Sequence, residues 1–148
     1  MLNGSDVQSA VITVLKADTD LVAVVGDEIR EDEWPGTDWA YPCVRVALNL
    51  LTPNSTGNCH LKNWTVTFST LVLTQPTSSG GVYNFSSDQC NQIMNLCTAA
   101  LFGEKVESSG NFVAETAVNI TGQNSPVPEP PPGGWRGEVL CEMRLKEV

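Results

Sequence analysis

Six carboxylates fall within the thirteen residues Asp27–Trp39, Asp-Glu-Ile-Arg-Glu-Asp-Glu-Trp-Pro-Gly-Thr-Asp-Trp. Clustered acids can do acid/base work or hold a divalent ion. Here, however, the regular Asp/Asn spacing around a central glycine that marks a calcium loop is missing. A solvated or subunit-facing loop with a short strand at Ile29 is the simpler reading. Trp34 and Trp39 flank Pro35-Gly36, and tryptophan in such a loop often anchors an interface. The single histidine, His60, lies in a turn beside Cys59. A triad or a Cys-His dyad would have to use it, but no nucleophile elbow or acidic partner motif accompanies it. P-loop, dinucleotide and H-E-x-x-H patterns are absent as well. The sequence therefore points away from an enzyme, and it calls for no cofactor.

The five cysteines, Cys43, Cys59, Cys90, Cys97 and Cys141, contain no C-x-x-C pair. Cys90 and Cys97 are separated by seven residues of an expected helix, about 10.5 Å along its axis and too far for one disulfide. Buried, free thiols are expected, with Cys59 in its turn the most reactive, and no metal site is expected. Asn-x-Ser/Thr triplets begin at Asn3, Asn54, Asn63, Asn84 and Asn119, as chance allows in an Asn- and Thr-rich chain.

With 17 acidic and 8 basic residues the formal charge is −9. A protein gripping nucleic acid gathers Lys and Arg, whereas these eight are scattered. The balance suits acidic solubility, or a surface that DNA passes without sticking. A length of 148 residues fits one domain, and no apolar run approaches the roughly 20 residues that span a bilayer. Met-Leu-Asn-Gly-Ser-Asp has neither a basic nor an apolar leader segment, so retention inside the producing cell is expected.

The longest regular stretch is Asn63–Leu73. Trp64, Val66, Phe68, Thr70 and Val72 alternate with Thr65, Thr67, Ser69, Leu71 and Leu73, a period of two that predicts a long strand covered on one face. Pro42 introduces another strand, Cys43–Leu50, with Val44, Val46 and Leu48 on one face, and 52–62 reads as a projecting turn. Upstream, Ser5 with Gln8 forms an expected capping box for a helix carrying Val7, Val11, Val14 and Leu15. Asp18 or Asp20 restarts a short helix that Gly26 stops. Ser86 with Gln89 opens a helix to Phe102 whose stripe is Ile93, Leu96, Cys97, Ala100 and Leu101. Asn111–Ile120 and Trp135–Leu145 read as strands, the latter with Val139, Cys141, Met143 and Leu145 opposing Glu138, Glu142 and Arg144. Between them, 121–134 carries Pro126, Pro128, Pro130, Pro131 and Pro132 and is expected to be an extended arm without regular structure. The fold class is α+β: one domain, an antiparallel sheet of about four main strands backed by an N-terminal and a central helix.

In order along the chain stand Leu-Lys-Ala-Asp-Thr-Asp-Leu-Val-Ala-Val-Val-Gly (Leu15–Gly26), Glu-Ile-Arg-Glu-Asp (Glu28–Asp32), Tyr-Pro-Cys-Val-Arg-Val (Tyr41–Val46) and Trp-Arg-Gly-Glu-Val-Leu-Cys-Glu-Met-Arg-Leu (Trp135–Leu145). Together they resemble the tail-terminator, or tail-completion, proteins of long-tailed bacteriophages. The resemblance implies a homo-oligomeric ring, usually of six copies. It caps the tail tube, offers the surface to which the head and its neck proteins attach, and lets DNA pass through its lumen. It implies a place in the tail-neck region of a virion assembled in the host cytoplasm, with no catalysis and no membrane. A head-side neck or stopper protein, or a binding module outside phages that uses the tryptophan loop, are the alternatives. In such a ring, Asp27, Glu28, Glu31, Asp32 and Glu33, with the 53–60 turn, are expected near the lumen or tube. Trp34, Trp39, Pro128, Pro130, Pro131 and Pro132 are expected to contact adjacent subunits or neck proteins.

Overall fold

A computed structural model of the protein describes residues 2–32, 41–54, 62–74, 87–128 and 134–148. Helix α1 (Gly4–Lys16) is followed by α2 (Thr19–Val25), β1 (Ile29–Glu31), β2 (Cys43–Pro53), β3 (Asn63–Thr74), α3 (Asp88–Leu101), β4 (Phe112–Ala114), β5 (Asn119–Pro128) and β6 (Trp135–Glu147). The expected α+β class holds. The sheet has six strands rather than about four, in the order β1-β2-β3-β6-β4, with β5 also paired to β6. It is mixed: β1 runs parallel to β2, and the other pairs are antiparallel.

The strands follow from their alternation. In β3, Trp64, Val66, Phe68 and Val72 join one core with Val44 and Val46 of β2 and Val139, Cys141, Met143 and Leu145 of β6. Helices α1 and α3 cover that face, bringing Val7, Val11 and Leu15 from one and Cys90, Ile93, Met94, Cys97 and Leu101 from the other. At Gly137 of β6 an added Cβ would collide with the Met94 sulfur and lie 3.1 Å from Cys90 Sγ. The absent side chain is what lets α3 settle onto the sheet.

The expected ends of the helices shift for identifiable reasons. Asn3, not Ser5, caps α1: its Oδ1 accepts from the Ser5 N–H at 3.0 Å. Gln8 is not part of a capping box; its buried side chain donates from Nε2 to the Val46 carbonyl at 3.1 Å, tying α1 to β2. Asp18 caps α2 as one of the two expected choices, accepting from Leu21 N at 2.9 Å, and Gly26 ends it at φ +62°. Helix α3 begins at Asp88, after Ser87, while the expected cap Ser86 lies outside the described residues. Its stripe is as expected, except that Leu96 is only partly buried and Met94 and Cys90 take full places in the core.

Two corrections concern the C-terminal half. The single strand expected over 111–120 is two strands. After β4, the Glu115 and Thr116 N–H groups both donate to the Arg144 carbonyl, at 2.9 and 3.3 Å, and the Thr116 hydroxyl accepts from Arg144 N at 3.0 Å. The chain steps across the end of the ladder there instead of continuing along it. The arm without regular structure expected over 121–134 is, through Pro128, a strand. β5 pairs with β6 from Asn119↔Glu142 to Pro128↔Trp135, with register shifts between Ile120 and Gly122 and between Asn124 and Val127. Proline is tolerated on an edge strand or at a bulge, where no ladder N–H is required, and Pro126 sits within the second shift. Pro130, Pro131 and Pro132 lie outside the described residues.

The packing of α3 gives a direct test. Ile93→Ala is expected to cost about 2–5 kcal/mol, as for a fully buried aliphatic residue, and Leu96→Ala clearly less, because Leu96 is half-buried. Urea unfolding midpoints of the two variants rank them. A larger loss for Leu96→Ala would mean that α3 is rotated on the sheet.

Candidate assembly surface

The face of the sheet away from the helices is polar along much of its length. At the β2 bulge between Leu48 and Leu50, Asn49 donates from Nδ2 to Ser69 Oγ at 2.6 Å. Asn54 and Thr65 exchange hydrogen bonds at 2.9 and 3.0 Å. The bulge turns Leu50 outward, 57% exposed, while Leu48 and Leu51 pack against the core. Toward the other end this face is closed: Cys43, Arg45, Ser69 and Leu71 are buried, and Arg45 has no exposed surface. Burial pushes the Cys43 thiol up in pKa, and the neighbouring Arg45 guanidinium partly draws it back. A buried arginine in the middle of a strand that otherwise reads as Val/Leu-rich had no signal in the sequence.

The acidic run expected to form a loop lies largely on β1 and its flanks, at one lateral edge of the sheet. Ile29, Arg30 and Glu31 pair with Val44, Arg45 and Val46, the Val44 N–H donates to the Glu28 carbonyl at 2.8 Å, and the Asp32 N–H donates to the Val46 carbonyl at 3.0 Å. Arg30 makes 3.5 Å contacts through Nε and Nη2 to the two Glu28 carboxylate oxygens. Asp27, Glu28, Glu31 and Asp32 are thus held in a row by the main chain, with Asp27 and Asp32 exposed. Glu33, Trp34 and Trp39 lie outside the described residues, as do Cys59 and His60 of the turn after Pro53. Pro128 closes β5 at the opposite edge of the sheet. The structure therefore brings four of the five expected acids together and separates them from Pro128 by the width of the sheet.

That opposite edge holds features the sequence reading left unused. Arg136, Arg144 and Lys146 of β6 are exposed on its outer face, whereas Glu138 and Glu142 are half-buried, and Glu138 accepts from Asn124 Nδ2 at 3.1 Å. Around the second β5 register shift an open depression of about 590 Å³ is lined by Asn124, Ser125, Val127, Pro128, Arg136, Gly137 and Glu138. The charge alternation in β6 was legible; which of these charges reach solvent was not.

Among the described residues no group of three His, Cys, Asp or Glu side chains could hold a metal ion. Nor is any helix among them long and apolar enough to cross a membrane. Cys43, Cys90, Cys97 and Cys141 are free and buried. Burial raises Cys90 to about 11 and Cys97 and Cys141 to about 12. For Cys97, the Thr70 hydroxyl partly offsets that rise and the nearby Cys141 adds to it.

The sequence matches no protein-family model and no curated protein. Among solved structures, the fold matches a chain in the virion of a native gene transfer agent (GTA) particle. The TM-score is 0.66 at 18% identity, covering 94% of this chain and 93% of that one. Bacteriophage SPP1 gp17 protein aligns over 95% of this chain and 87% of its own, at 21% identity and a TM-score of 0.47, too low to carry weight. The first likeness shows the fold: a chain of that virion shares this α+β architecture over nearly its whole length.

The thiols predict an alkaline limit to stability. Their folded pKa values lie above the ordinary value of 9.0, so the unfolded chain loses these protons first. Their contribution is complete below pH about 9 and is lost progressively as pH rises towards 11–12. Urea midpoints should hold level to about pH 8 and then fall, with a shallower fall in Cys141→Val. An unchanged slope in that variant would assign the alkaline loss to other groups.

Proposed function

We propose that the protein is a structural virion component, a tail terminator that forms a ring, usually of six copies, on the end of a tail tube and presents the joining surface for the head. The observation that carries this reading is the match of nearly the whole fold to a virion chain, taken with the sequence resemblance over the same length. The chemistry of the surface agrees with it. The polar sheet face, the scarcity of basic side chains and a formal charge of −9 per copy suit a passage through which DNA slides without being held. The protein catalyses no reaction, binds no cofactor and enters no membrane. It works in the tail-neck region of a particle assembled in the host cytoplasm, between the tail tube protein and the head-completion proteins.

Within the ring, Trp34 and Trp39 contact an adjacent subunit or a neck protein, and the proline segment from Pro128 through Pro130, Pro131 and Pro132 does the same. Tryptophan offers large apolar area with little rotamer entropy to lose, and a proline-rich segment is extended before it docks.

Native mass spectrometry of the purified protein is expected to give six times the 15.9 kDa chain mass, alone or on addition of tail tubes, and electron microscopy to show the tubes capped. A monomer that leaves tubes uncapped would sink this reading, and binding to head complexes in place of tubes would move the protein to the head side of the neck. Trp34→Ala together with Trp39→Ala is expected to weaken ring formation while leaving the thermal unfolding of the monomer unchanged. Rings as stable as the parent's would remove the tryptophans from the interface.

A further inference from the structure

We draw no further inference here: the strongest candidate, the surface flank that α3 and β5 form, with no charged side chain from Gln89 to Phe102 or from Asn119 to Pro128 and with Phe102 exposed at its end, carries nothing because nothing in the structure shows what covers it.

Discussion

The unbroken antiparallel pairing of β3 with β6 is the constraint on which the other elements depend. Twelve residue pairs run from Asn63↔Lys146 to Thr74↔Trp135 without a register shift. A slip of one residue would turn one strand's set, Val66 and Phe68 or else Cys141 and Met143, to the outer face and bring Thr67 or Glu142 under the helices, so burial fixes the register. One end is further tied by the Trp64 indole N–H, which donates to Glu147 Oε1 at 2.7 Å. Desolvation works against the Glu147 charge, but the Trp64 bond helps hold its carboxyl below the ordinary value. With that pair in place β2 adds on one side, β4 and β5 share the other, and α3 lies across the centre over Gly137.

The same pairing separates two kinds of surface. Towards the helices the strands present a continuous apolar layer. Away from them they present Thr65 and Ser69 with their asparagine partners, and exposed charges from β6. A face of side-chain hydrogen bonds is stable in water and does not by itself drive association. Among the described residues β1 and β5, at the two lateral ends of the sheet, pair on one side only.

The candidate surface was legible in part. The acids from Asp27 to Asp32 and the prolines from Pro126 onward stand out in any reading of composition, but composition reports neither the edge a segment lies on nor its neighbours. The prolines argued against regular structure, and that argument is sound for a central strand. β5 escapes it because it sits at an edge, with two register shifts to absorb the missing ladder bonds. Arg136, Arg144 and Lys146 were visible as alternating charges, yet the alternation does not say which charges of that face reach solvent. The burial of Arg45 follows from long-range packing and leaves no local trace.

The sequence by itself determined the elements whose signal is local and repeated. These are the period-two runs of β2, β3 and β6, the helical stripe of α3 and the Gly26 end of α2. Each rests on spacing along a few turns or a few pleats, which the side chains enforce wherever the segment ends up. Only the tertiary structure decided which strands are neighbours. It alone placed β1 parallel to β2, split 111–120 into two strands, recruited Asn119–Pro128 to β6 and took the Gln8 side chain from the helix end to the Val46 carbonyl. Those outcomes depend on hydrogen-bonding groups supplied by segments tens of residues away, and no local pattern encodes a partner that arrives only when the chain has folded.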